Sequence, residues 1–326
     1  MIDSKHSQLL LLAAAVCSTT AAFPAAISAY PARPIRLLLP FAPGGSADVI
    51  ARIITPKLSE AMGQQWVVDN RGGAAGNIAA ETVARAAPDG HTVFLGLSTI
   101  VTANPALYKL SFSMEKDLQA VTLLTLSQYI FVLNPSVPAA SVKELIELAK
   151  QKPRSLNYSS GGIGSPLHLA VALFEKRAGI EMVHVPYKSG GAATAAVVAG
   201  EVQLAAASIA SSMQLVKAGR LKAIATTGLQ RSQVAPELPT LAESGFPGLE
   251  VSAWYGLLVP AGTSAAIVQR IRNEAIKTVE TPDVRQALAA QGLQVETSTP
   301  QEFAARIRSD TRMWAEVIKS AGIKAE

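Results

Sequence analysis

The chain has 326 residues, of which 49% are hydrophobic, 16% charged and 5% aromatic, and it carries a net charge of +5. That much apolar material builds a core of two-domain size and excludes disorder. No apolar run approaches the roughly 20 residues a membrane-crossing helix needs, the longest covering residues 9–16. The excess positive charge is spread out: Lys150, Lys152 and Arg154 form its densest short cluster, with no interleaved aromatic residues, so a nucleic-acid partner is not expected.

At the N-terminus, Lys5 and His6 precede the apolar run, and small residues follow from Ala21 through Ala26 to Ala29. This is the pattern of an export signal spanning residues 1–29, cleaved near Ala29 or one residue earlier, after Ser28. Either cut removes Cys17, the one cysteine, and leaves a chain without disulfides, thiol chemistry or cysteine metal ligands. Val16 before Cys17 is too large for a good lipoprotein signal, so plain export is the expectation.

Apolar runs rich in branched residues then alternate with helical stretches: 35–39, 66–68, 92–97, 156–158, 182–185, 202–206 and 221–226. The alternation predicts an α/β fold with mainly parallel sheets flanked by helices. Thr281-Pro282 and Thr299-Pro300 each read as an N-cap followed by proline at the first helical position, with Gly292 and Gly322 placed to end those helices.

Four strand-to-helix joints carry a glycine pair: Gly44-Gly45, Gly72-Gly73, Gly161-Gly162 and Gly190-Gly191. The first two pairs are 28 residues apart and the last two 29, about one β-α unit, which predicts two lobes on one local plan. Long apolar segments at 121–133 and 251–259 flank the second set and read as crossover strands, with Trp254 and Tyr255 as hinge core. Residues 30–126 and 253–326 would form a discontinuous lobe 1, and 127–252 lobe 2, with a ligand cleft between them.

Glycine at such a joint permits positive φ and lets a ligand approach the backbone. The helix that follows presents unpaired N–H groups and its positive dipole end to an anion. In the first joint the helix should start near Ser46; in the later one Ser165 should be the N-cap and Pro166 the first helical residue. One helix end contributes only about 0.3–1 kcal/mol to a nearby anion. Micromolar affinity needs about 8 kcal/mol net, so donors from both lobes must converge. Bare amides, without a fixed cationic side chain, are expected to hold the ligand, and a bulkier residue at Gly161 or Gly164 should abolish binding while sparing thermal stability.

Other chemistries fit poorly. No phosphate-binding glycine motif, nucleophile elbow or metal-ligand spacing is present, and Ser113–Lys116 matches S-x-x-K without its companion motifs. His91 and His184 read as surface or capping residues, whereas His168, in the first turn after Ser165-Pro166, could face the cleft. Asp48 lies in a helix's first turn, where a carboxylate complements the dipole; functionally it would repel a carboxylate ligand unless it held the ligand's amine, a bridging water or the loop's own amides.

The stretches Pro-Phe-Ala-Pro-Gly-Gly-Ser-Ala-Asp at 40–48, Asp-Asn-Arg-Gly-Gly-Ala-Ala-Gly-Asn at 69–77, Val-Pro-Tyr-Lys-Ser-Gly-Gly at 185–191 and Trp-Tyr-Gly-Leu-Leu-Val-Pro-Ala-Gly-Thr at 254–263 resemble the Bug family. These are the TctC-type solute receptors of tripartite tricarboxylate transporters. The resemblance implies a periplasmic binding protein of the two-lobed, type II-like fold. It would bind a small carboxylate (a di- or tricarboxylate, an acidic amino acid or an aromatic acid), largely through main-chain amides and waters at the turns matching Phe41 to Ser46 and Ser159 to Ser165. Delivery to a permease in the membrane follows from the same likeness. The chain departs from the family's frequent aspartate at Gln203 and lacks its proline between Arg71 and Gly72.

The ligand-binding residues expected are Phe41, Ala42, Gly44, Gly45, Ser46, Asp48, Asn77, Ser98, Thr99, Ser159, Ser160, Gly161, Gly164, Ser165, His168, Tyr187, Gly190 and Ser208. No catalytic residue, metal or cofactor is expected, and the receptor should be a monomer. Two alternatives stay open: an enzyme using Asp48 or His168 as acid or base, and a sensor presenting bound ligand to a membrane regulator.

Overall fold

A computed structural model describes residues 30–41 and 43–324. The signal reading of residues 1–29, Cys17 included, and the expectation for Ala42 lie outside the described residues. In chain order the first elements are β1 (Ile35–Leu39), α1 (Ser46–Met62), β2 (Trp66–Asn70), α2 (Asn77–Ala84) and β3 (Thr92–Leu97). Three short helices, α3 (Ser98–Thr102), α4 (Asn104–Leu107) and α5 (Met114–Asp117), lead into the long strand β4 (Leu118–Leu133). Then come α6 (Val142–Gln151), β5 (Asn157–Ser160), α7 (Pro166–Ala178), β6 (Val183–Pro186), α8 (Gly190–Ala199), β7 (Leu204–Ser208), α9 (Ile209–Lys217) and β8 (Lys222–Thr226). The chain closes with β9 (Ser252–Pro260), α10 (Ala265–Glu280), α11 (Pro282–Ala290), β10 (Gln294–Val295) and α12 (Pro300–Ser320).

The strands form two sheets sharing β4. In lobe 1, β2, β1 and β3 are parallel, β9 is antiparallel to β3, and β4 pairs β9 from Leu118 to Gln128, with β10 on its other side. In lobe 2, β4 pairs β7 and β8 from Tyr129 onward, and β5 lies parallel between β7 and β6. The strand changes sheet between Gln128, opposite Ser252, and Tyr129, opposite Ser208. Helices cover both faces, so β4 is buried along nearly its whole length and its sequence is mainly apolar, interrupted by Gln119, Thr122, Thr125, Ser127 and Gln128.

The return from lobe 2 differs from the expected second crossover strand: β9 lies wholly in the lobe 1 sheet. The crossing is a coil clasp, in which the Val251 amide donates to the Thr227 carbonyl and the Thr227 hydroxyl to the Val251 carbonyl. That hydroxyl also accepts the Tyr129 amide at 2.9 Å, tying the return path to β4. Trp254 is fully buried in lobe 1, its indole N–H donating to Asp310 at 2.7 Å and its ring edge-on to Phe303.

Helix ends follow local chemistry. Thr299 caps α12 in a reciprocal box with Glu302, and Ser165 caps α7 ahead of Pro166. Ser46 opens α1 behind Gly45, and its hydroxyl makes no cap. Gly292 and Gly322 stand two residues beyond the ends of α11 and α12 with positive φ.

Candidate functional site

The register places both sets of glycine joints at one junction. The last residue of β3, Leu97, is level with Tyr255 and through it with Thr125 of β4, while the last residue of β7, Ser208, is level with Tyr129. Four strand residues separate those levels, roughly 13 Å at about 3.3 Å per residue. The carboxyl ends of β1, β2 and β3 therefore face those of β5, β6 and β7 across the interlobe crevice. The helices that follow, α1, α2 and α3 in lobe 1 and α7, α8 and α9 in lobe 2, turn their N-termini toward the same place.

In lobe 1 the β1–α1 turn is open. Phe41 is 40% exposed, and a Cβ built on Gly44 or Gly45 would meet nothing within 4 Å. Gly44 needs its hydrogen side chain for conformation, with φ at +96°. The turn is held by Asp48, which is buried: one carboxylate oxygen accepts the Gly44 amide at 3.1 Å and the Arg52 guanidinium at 2.8 Å. The Arg52 hydrogen bond, joined by that from the Gly44 amide, holds this carboxyl below the usual aspartate range despite burial. Its second oxygen is buried without a hydrogen-bond partner. Asn70 also donates to the Phe41 carbonyl at 2.9 Å, so the second strand props the first turn.

The remaining lobe 1 residues are largely committed to the scaffold. Asn77, at the start of α2, accepts from Asn104 at 2.7 Å, and Ser98 and Thr99 are buried in the first turn of α3. Ser46 is exposed at the start of α1, and Tyr255 of β9 is buried.

Lobe 2 is crowded by comparison. Ser159 is fully buried and donates to the Ala193 carbonyl at 2.8 Å, which fastens β5 to α8. The Ser160 hydroxyl accepts the Gly162 amide at 3.2 Å and lies 2.6 Å from His184 Nε2. A Cβ on Gly161 would stand 3.0 Å from the Gly190 amide nitrogen, and one on Gly164, where φ is +72°, 2.8 Å from Leu107 of lobe 1. A bulkier residue at either position therefore strains the backbone or its neighbours, contrary to the expectation that stability would be spared. Ser165 accepts the His168 amide, and the Gly164 amide donates to His168 Nδ1 at 3.0 Å.

His168 is buried and stacks face to face on His184, centroids 3.8 Å apart and planes within 7°. His184 stacks in turn on Tyr158 at 5.0 Å. His184 is thus not the surface or capping residue expected, because β5 and β6 pair Tyr158 with it and bring it under the α7 start. His91 is buried too, edge-on to Tyr30. Tyr187 donates its hydroxyl to Glu201 at 2.9 Å, Gly190 opens α8 behind Ser189, and Ser208 ends β7 exposed. Gln203 accepts the Asn157 amide at 2.9 Å, a scaffold contact.

A cavity of about 700 Å³ opens beside these turns, lined by Gly162, Ile163, Pro186, Tyr187, Lys188 and Ala192 of lobe 2 and by Tyr108 of lobe 1. Of the expected binding residues it takes in Tyr187; the β1–α1 turn, Asn77, Ser98, Thr99, Ser159, Ser160, Gly161, Gly164, Ser165, His168, Gly190 and Ser208 do not line it. A separate cavity of about 470 Å³ lies between the α4–α5 segment and α12, and none of the strand-end turns lines it. Lys188, Tyr108 and Ile163 were not singled out in the sequence, although Lys188 stands inside the 185–191 stretch. Lys188 puts one cationic side chain in the cavity wall, which modifies the expectation of bare amides alone. Among the described residues no group of three or more histidines, cysteines or carboxylates could hold a metal.

The chain as a whole is similar to several known proteins. The chain is 36% identical over 293 residues to a UPF0065 protein from the tcbD-tcbE intergenic region of Pseudomonas sp. strain P51, covering 90% of this chain and 87% of that one. It is 31% identical over 319 residues to BugT of Bordetella pertussis, covering 97% and 98% respectively. Among solved structures, Rpa4515 of R. palustris with adipate matches at TM-score 0.76 and 32% identity over 90% of this chain and 99% of that one. MatC of Rhodopseudomonas palustris with bound malate matches at TM-score 0.73 and 31% identity, over 89% and 100%. With the family model for the tripartite tricarboxylate transporter family receptor, TctC, matching residues 50–323, this chain belongs to that receptor family.

Proposed function

We propose that this protein is a periplasmic receptor that captures a small carboxylate between its lobes and delivers it to a membrane permease. The observation that carries the reading is the convergence of six strand-end turns, three from each lobe, on one crevice. Peptide N–H groups at such turns bind carboxylate oxygens at about 1.5–3 kcal/mol each, and Lys188 adds a positive charge at the cavity wall. Asp48 and His168, the residues weighed as acid or base, are engaged in holding the backbone of their own turns. That favours a receptor over an enzyme, as do the malate and adipate in the two related structures.

The lobes are assigned as 30–126 with 253–326, and 127–252, supported by the change of sheet within β4 beyond Gln128. Residues 1–29 are assigned as a cleaved export signal, and the working receptor as a monomer. Titration calorimetry with malate, adipate, other dicarboxylates of four to six carbons, acidic amino acids and aromatic acids tests the reading. Micromolar or tighter binding of at least one acid, with the ligand recovered unchanged, is expected; silence across the panel refutes it.

A further inference from the structure

The two lobe 2 histidines are used by nothing in the capture of an anion described above, yet each holds one end of the same turn. His168 Nδ1 accepts the Gly164 amide, so a neutral His168 must carry its proton on Nε2. The Ser160 hydroxyl is in contact with the Gly162 amide, the Gly162 carbonyl and His184 Nε2. One hydroxyl proton and two lone pairs satisfy all three only if Ser160 donates to the carbonyl and accepts from the amide and from a protonated His184 Nε2. The amides of Gly162 and Gly164 are thereby taken up inside the protein. Those of Gly161 and Ile163 have no turn or cap hydrogen bond among the described residues, and Ile163 lines the cavity.

We propose that the stacked His168–His184 pair is a positioning device, which by holding Gly164 directly and Gly162 through Ser160 leaves the Gly161 and Ile163 amides as this turn's donors to the carboxylate. The inference rests on the receptor reading for the ligand and on the hydrogen-bond geometry for the device. It requires both imidazoles to be neutral, since a proton on His168 Nδ1 would oppose the Gly164 N–H and two imidazolium rings would repel in contact.

The surroundings favour neutrality. Tyr158 from β5 faces the pair, with the Glu175 carboxyl of α7 near the Tyr158 phenol, and Leu107 is the lobe 1 neighbour of the turn. Burial, with His184 alongside, pushes His168 down to about 3, and burial pushes His184 down to about 4. Both values lie below the ordinary 6.5, so the folded state binds fewer protons than the unfolded chain as pH falls from 6.5. The pair's contribution is therefore complete above 6.5 and lost on acidification.

The test starts from the ligand-free protein labelled with nitrogen-15. At pH 7.5 long-range proton–nitrogen spectra should show both imidazoles protonated on Nε2, and acid titration should leave both neutral down to about pH 5. Calorimetry with malate and adipate follows on His168→Leu and His168→Asn, the latter placing an acceptor near the Nδ1 position. His168→Leu should weaken the better-bound acid about tenfold or more, and His168→Asn should return it to within about threefold of the parent. A proton on His168 Nδ1, titration near pH 6.5, or no rescue by asparagine overturns the positioning. Spectra as expected with neither those acids nor the wider panel bound overturn the receptor reading instead and leave the device supported.

Discussion

The β1–α1 turn of lobe 1 and the β5–α7 turn of lobe 2 share a glycine-rich sequence and a strand-to-helix setting, but they are held by opposite means. In lobe 1 an ionised carboxylate, Asp48, grips the Gly44 amide and is balanced by Arg52, and solvent lies over the glycines. In lobe 2 neutral imidazoles do the gripping, and Gly161 is wedged against the backbone of Gly190. Glycine thus serves conformation at Gly44 and space at Gly161. One turn is fixed by charge on a partly wet surface, the other by packing, and their responses to mutation and to pH should separate.

The sharpest break in that contrast would come from Gly161→Ala. Its Cβ must displace backbone at Gly190, so a loss of about 1–3 kcal/mol is expected in denaturant unfolding; an unchanged midpoint would mean the lobe 2 turn is as open as its counterpart. Next, Asp48→Ala strands the Gly44 amide and frees Arg52, with an expected loss of about 1–2 kcal/mol at pH 7. Because the folded pKa of Asp48 is lowered, that difference should persist above the ordinary aspartate value of 3.8 and vanish as pH falls through the depressed one.

Glu175→Gln probes the lobe 2 side with the reverse sign. Burial pushes Glu175 up to about 7 from 4.5, so its protonated form supports the fold at low pH and that support is lost as pH rises through 7. Relative to the parent, the glutamine variant should gain on the order of 1 kcal/mol between pH 5 and pH 8, read from urea unfolding at both. No gain would show that Glu175 is already ionised in the fold. The smallest expected change is from Gly45→Ser, where φ is −84°, the site is open, and serine is a good N-cap. Stability should stay within about 0.5 kcal/mol while affinity for the bound acid falls; retained affinity would place the ligand away from the lobe 1 turn.

Much of this molecule could be read from its residues. The runs at 35–39 and 92–97 became β1 and β3 to the residue, because each is an apolar stretch bounded by turn formers and covered on both faces. Ser165-Pro166 and Thr299-Pro300 marked helix starts through purely local hydrogen bonds. The Thr227–Val251 clasp was not legible, since it joins extended segments 24 residues apart through one hydroxyl, a contact that no local pattern encodes. The histidine pair was hidden for a similar reason: His168 sits on a helix and His184 on a strand, and only the β5–β6 register stacks them. Asp48 was read both ways, and the fold gives its side chain to its own loop.

The continuity of β4 has a consequence for how the molecule comes apart. Leu118–Leu133 is an interior strand of both sheets, with β9 and β10 beside it in one lobe and β7 and β8 in the other. Neither lobe owns a complete sheet, so cutting the chain between Gln128 and Tyr129 would split the central strand and strip both halves of a full set of backbone partners. Heating should accordingly give one cooperative heat-absorption peak for the whole receptor, and a solute bound between the lobes should raise that single transition as a unit.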